Sequence, residues 1–144
     1  MKVKCLPKEF EKNIFLVDLV AIIFDTKTRK VLIGKKENDP IVKKLGWCFP
    51  NGIPKHGDDL RKVLVNEVKR KTGLKIVNLG SISSRTFPER KNILNIYYLC
   101  ESVGGKEKAG GSLKELKWVK PTELKKYFKT SLSPQLKEYL NNLK

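Results

Sequence analysis

Glu67, Arg70 and Lys71 stand three and four residues apart inside GIPKHGDDLRKVLVNEVKRKTGL, the stretch from Gly52 to Leu74. On a helix, positions i, i+3 and i+4 project on one face, so one carboxylate and two cations would share a patch. Glu67 ahead of Lys71 by four residues is the favourable order for an intrahelical pair. Such a patch can satisfy itself as a solvated ion pair. It can also leave positive charge for an anion, since lysine and arginine both hold phosphate. Lys55, in the loop before the helix, would add a third cation. His56, the only histidine of the chain, is either a base near a ligand or an inert loop residue.

These residues need a helix and a rigid entry to it. Asp58 or Asp59 can cap the first turn, where free N–H groups need an acceptor. Leu60, Val63, Leu64 and Val68 recur at helical spacing and make one apolar stripe. Gly73 falls where a left-handed residue closes a helix, and Gly52, Pro54 and Gly57 shape a tight loop before it. Upstream, Phe15 to Phe24 (FLVDLVAIIF) reads as a buried strand, followed by a turn at 25–30 and a second strand at Val31 to Gly34. A polar loop with Pro40 leads to GWCFP, a short strand that enters the stretch from Gly52. Downstream, a strand starts at Leu74, with Gly80 to Thr86 continuing or turning it. Phe87 to Lys91 is a loop, and Asn92 to Glu101 is a strong strand. Ser102 to Gly111, with four glycines, reads as a flexible connection. Leu113 to Val119 is a last strand, Pro121 opens a short helix, and Pro134 opens a C-terminal helix with Leu136, Tyr139, Leu140 and Leu143 on one face.

With 144 residues, 40% of them hydrophobic, the chain suits one domain (1–144) with a real core and a polar arm at 1–13. The order of elements predicts a layered α/β (α+β) architecture, not a βαβ repeat. No apolar run reaches bilayer length and no secretory segment opens the chain. The three cysteines share no metal-type spacing and read as reduced thiols of a cytoplasmic protein. Net charge is +16, from 31 basic and 15 acidic residues. That favours polyanions such as nucleotide phosphates or RNA, although lysines spread from end to end also describe a solvated surface.

The stretch from Gly52 to Leu74 resembles the Nudix box, G-x5-E-x7-R-E-U-x-E-E-x-G-U, where U is a large aliphatic. Gly52 opens it, Asp58 falls on the first glutamate, Asn66 on the arginine, Glu67 on the next glutamate, and Gly73 and Leu74 close it. Arg70 and Lys71 occupy the glutamate pair. GWCFPNG resembles the family's G-x-W-x-F-P-G-G entry, and SLKELKWVKPTEL its closing strand and turn. VLIGKKENDP with GWCFPNG also resembles the GDP-mannose mannosyl hydrolase branch, which implies a nucleotide-sugar ligand. The resemblance implies the Nudix fold, a mixed β-sheet sandwiched between helices. It further implies hydrolysis of a nucleoside diphosphate linked to another moiety, with Mg²⁺ or Mn²⁺ on the box glutamates.

The chemistry of that frame is altered, because two glutamates are replaced by Arg70 and Lys71. A loop glutamate of some members falls on Lys55, and the family's later carboxylate on Ser112. Glu67 and Asp58 are the metal candidates that survive, with Glu67 the one catalytic candidate. Lys55, Arg70 and Lys71 would instead bind phosphate directly, with Arg85 near the substrate. Trp47 and Phe49 would stack a base or simply pack. Three readings remain open. The first is a nucleotide or phosphate binder without standard pyrophosphohydrolase activity and without a metal. The second is an active divergent hydrolase using Asp58, Glu67 and either Glu89 or Glu101. The third is a protein- or RNA-interaction module.

Overall fold

The computed structural model describes residues 14–36, 46–86, 88, 90–128 and 132–143. The expected arm at 1–13, most of the Pro40 loop and Glu89 lie outside the described residues. The β-branched run forms β1 (Leu16–Asp25), in which Leu19 to Ile23 are at most 5% exposed. The chain continues through β2 (Lys30–Lys36), two-residue strands β3 (Trp47–Cys48) and β4 (Asn51–Gly52), and helix α1 (Leu60–Thr72). Then come β5 (Leu74–Thr86), β6 (Ile93–Gly105), β7 (Leu113–Val119), a 3-10 turn at Pro121–Glu123, α2 (Leu124–Tyr127) and α3 (Pro134–Asn142).

The strands run in the order β3-β2-β1-β6-β5, with β4 paired to β1 and β7 to β2. β1 and β6 are parallel and the other pairs antiparallel, so the sheet is mixed. Alternation along β1 divides the core in two. Leu19, Ala21 and Ile23 pack with Leu64 and Val68 of α1. Val20, Ile22 and Phe24 pack with Leu124, Leu136 and Leu140 of the C-terminal helices. This is the expected mixed sheet between helices.

Asp59, not Asp58, caps α1, accepting from Arg61 N at 3.0 Å. The apolar stripe is uneven: Leu64 and Val68 are fully buried, whereas Leu60 is 40% exposed. Gly80 does not turn the chain, since β5 runs on to Thr86 with shifts of register on the way.

The glycine-rich stretch differs from its expected flexibility. Ser102 to Gly105 extends β6, and the following residues are fastened to the end of α1. Lys108 N donates to Thr72 O at 2.8 Å and Gly110 N to Lys71 O at 2.9 Å. A side chain at Gly110 would meet Arg70 O at 2.6 Å, and one at Gly105 would meet Gly73 O at 2.3 Å. Gly105 and Gly110 therefore serve close approach of backbone to backbone, which composition alone cannot tell from flexibility.

Gly73 has φ 75° and ends the helix as the sequence predicts. A Cβ there would lie 2.0 Å from Lys106 O, whereas at Gly57, φ 84°, it would meet nothing within 4 Å. Both glycine-to-alanine changes should carry the left-handed penalty of roughly 1–2 kcal/mol. Gly73→Ala should exceed Gly57→Ala in urea unfolding, because it must also displace a carbonyl.

Candidate functional site

α1 presents its polar face to β4. Gly52 allows this: a Cβ at that position would sit 2.8 Å from Glu67 Cγ. Glu67 thus lies directly over the strand, half-buried, and its carboxylate takes Arg70 in a two-pronged pair, Nε at 3.2 Å and Nη2 at 2.7 Å. Arg70 remains mostly exposed, at 58%. These hydrogen bonds, followed by the positive charges around it, hold the Glu67 carboxyl below its ordinary range. The same pair raises Arg70.

Lys71 is the unusual member. Its side chain is 8% exposed and its ammonium lies 3.6 Å from Glu67 Oε2. It donates to the backbone oxygen of Asn51 at 2.7 Å and to Asn51 Oδ1 at 3.3 Å. Lys36 from β2 also donates to Asn51 Oδ1, at 3.0 Å. Asn51 Nδ2 in turn donates to Asp18 Oδ1 of β1 at 2.6 Å. Burial, then the nearby Lys36 charge, pushes the Lys71 ammonium below its ordinary value despite Glu67. One chain of contacts therefore links Arg70, Glu67, Lys71, Asn51 and Asp18, with Lys36 joining at Asn51.

The other expected site residues fall elsewhere. Asp58 Oδ2 accepts from Lys55 N at 2.8 Å, closing the loop that enters the helix. Lys55 and His56 are exposed in that loop. Trp47 packs edge-on against Tyr127 and Phe49, 5% exposed, against Phe128. Arg85 is half-buried on β5, directly opposite Asn95 of β6. Glu101 is exposed and lines a cavity of about 300 Å³ with Phe24, Asp25, Lys27 and Trp118, none of them in the box stretch. Among the described residues, no group of three His, Cys, Asp or Glu side chains comes together to hold a metal.

Sequence reasoning missed Asn51, Asp18 and Lys36. A signal for two of them was present. Asn51 stands where the family's entry pattern has a second glycine, and Asp18 is a lone acid in an otherwise apolar strand. Lys36 had no such mark among so many lysines.

Residues 15–143 match the family profile described as NUDIX domain. The chain belongs to the NUDIX family. This NUDIX domain is 31% identical over 103 residues to an ADP-ribose pyrophosphatase of Methanocaldococcus jannaschii, covering 69% of this chain and 60% of that protein. It is 37% identical over 59 residues to the mouse nucleoside diphosphate-linked moiety X motif 6, covering 41% of this chain and 18% of that one. It therefore spans less than two thirds of either relative. The crystal structure of a MutT protein from Methanosarcina mazei Go1 shares the fold, with a TM-score of 0.70 at 17% identity, covering 92% of this chain and 94% of that one. No helix among the described residues is long and apolar enough to cross a membrane.

The pKa direction of Glu67 fixes a pH dependence. A carboxyl held low in the fold contributes stability that is present above its ordinary value of 4.5 and is lost as pH falls through the folded value. Glu67→Gln should remove this part of the acid sensitivity, read from urea midpoints between neutral and acid pH. Lys71→Met should cost about 1–3 kcal/mol at neutral pH, since the Asn51 carbonyl loses its donor. Arg70→Ala, on the exposed side, should cost under about 1 kcal/mol.

Proposed function

We propose that this NUDIX domain binds a nucleotide or nucleotide sugar through fixed cations at the box, and has lost standard pyrophosphohydrolase activity. The observation that carries this reading is the Lys71 ammonium, set between the Glu67 carboxylate and the two oxygens of Asn51. A hard divalent cation wants several oxygen ligands. Here Glu67 is engaged by two cations and Asp58 by the loop backbone, so the donor set does not fit Mg²⁺ or Mn²⁺. Lys71 supplies one positive charge in that cradle without a metal.

The anion would rest on the outer cations. Lys36 reaches the same Asn51 oxygen from β2, and Arg70 keeps N–H donors beyond the two it gives Glu67. Lys55 lies in the exposed entry loop. Because Lys71 is buried, its field is less screened by water than that of a surface lysine. Arg85 would contact the nucleoside portion. Phe49, buried against Phe128, favours packing over base stacking. The relatives' names, ADP-ribose pyrophosphatase among them, support a nucleoside diphosphate derivative as the ligand class.

The test is calorimetric titration with pyrophosphate and ADP-ribose, with Mg²⁺ and then with EDTA. Binding should persist in EDTA and weaken with salt. Lys36→Ala and Arg70→Ala should each raise Kd about tenfold or more, as loss of a charge-assisted hydrogen bond of about 1.5–3 kcal/mol does. Mg²⁺-dependent hydrolysis that Glu67→Gln abolishes would establish a divergent hydrolase instead. Absence of any nucleotide binding at low salt would point to an interaction module.

A further inference from the structure

Asp18 is the only charged residue between Leu16 and Phe24, and it stands beside cations to which we assign an anion. A carboxylate there opposes the anion by direct repulsion, so its place needs another reason. Strand pairing gives the geometry. Asn51 of β4 pairs with Val20 of β1, and Asp18, two residues earlier, projects from the same face as Val20. Across antiparallel strands such a diagonal neighbour is within side-chain reach. Asn51 Nδ2 donates to Asp18 Oδ1 at 2.6 Å, a short contact of the kind made to an ionised acceptor.

The Asn51 amide is used at both ends. Its oxygen accepts from Lys36 Nζ at 3.0 Å and from Lys71 Nζ at 3.3 Å. Two ammoniums that touch one oxygen lie within about 6 Å of each other, close enough for neighbouring phosphoryl groups of a diphosphate. They also repel, and the Lys36 charge is one cause of the lowered Lys71 value. The oxygen between them must therefore stay where it is. An amide is planar by resonance, so turning its nitrogen moves its oxygen as well. The half-buried Asn51 nitrogen, deprived of its acceptor, would turn toward another one and take the oxygen off both ammoniums.

We infer that Asp18 is a positioning residue that locks the Asn51 amide in the orientation holding Lys36 against Lys71, and so assembles the cation pair that a diphosphate meets. The lock itself stands without a ligand; its purpose rests on the phosphate-binding reading. The sign of its effect is distinctive. Acting through its charge alone, Asp18 would weaken anion binding, and its removal would tighten it. Acting through Asn51, its removal loosens binding.

The test is a double-mutant cycle in EDTA. It is read by calorimetry with inorganic pyrophosphate, and by NMR titration of the Lys71 ammonium without ligand. Asp18→Leu should raise the pyrophosphate Kd about fivefold or more, as loss of a hydrogen bond to a charged group does. It should also lower the pH at which Lys71 titrates, because the charged form loses an acceptor. Asp18→Asn keeps an acceptor without the charge, and should recover both properties relative to Asp18→Leu. In the background of Asn51→Gly, which lacks the amide, Asp18→Leu should no longer weaken pyrophosphate. Tighter binding in Asp18→Leu would overturn the inference, as would a loss of equal size in the Asn51→Gly background. Asp18→Ala gives the same comparison where Asp18→Leu does not fold. If the wild type binds no pyrophosphate, the phosphate reading falls and the Lys71 titration decides the lock, which an unchanged value in Asp18→Leu would overturn.

Discussion

A lysine ammonium under a helix, closed in between a glutamate and a backbone carbonyl, is the contact on which the arrangement at the box depends. Burying a charge is unfavourable unless it is paired and hydrogen-bonded, and Lys71 meets that condition because two elements converge on it. α1 supplies Glu67 and β4 supplies Asn51, while Lys36 of β2 shares the same amide oxygen and opposes the charge. These elements owe their places to apolar packing and strand pairing. Leu64 and Val68 hold α1 on the sheet, and β4 is held by its pairing with β1. The charged centre is a product of the core, not its cause.

The same contact explains how a NUDIX box can keep its frame while changing its chemistry. Gly52, Asp59, Gly73 and the apolar stripe shape the loop and the helix, and none of them touches charge transfer or metal. Position 71 is different because it faces inward against β4. Whatever side chain stands there must be compensated locally, and a cation is compensated by Glu67 and by oxygens that need not move. Position 70 lies outward, where almost any charge is tolerated in water.

Much of this was legible in the residues. The order of strands and helices, the helix stop at Gly73 and the closeness of Glu67 to Arg70 and Lys71 all follow from spacing. Spacing along one helix could not tell that Lys71 is buried and Arg70 is not, because that depends on which neighbour crosses at that height. Asp58 shows the same limit: its type suited a cap or a metal ligand, and the loop uses it to hold Lys55 N. Asp18 of β1 and Asn95 of β6, paired across the sheet, stand in the sequence as single polar residues in apolar runs. Their alignment depends on strand order, and the parallel neighbour of β1 is far along the chain.

The backbone strap that runs from β6 over the end of α1 has a consequence for how the molecule breathes. Thr72 and Lys71 carbonyls receive donors from residues 108 and 110, and Gly73 admits Lys106 at a distance no other residue would allow. Helix ends usually fray first, and their amides exchange early. Here the last turn of α1 cannot open without releasing the strap that leads into β7, and β7 is paired along its length with β2. Helix, strap and strand are coupled into one cooperative opening unit, so Lys71 sits in a helix end that the strap holds closed.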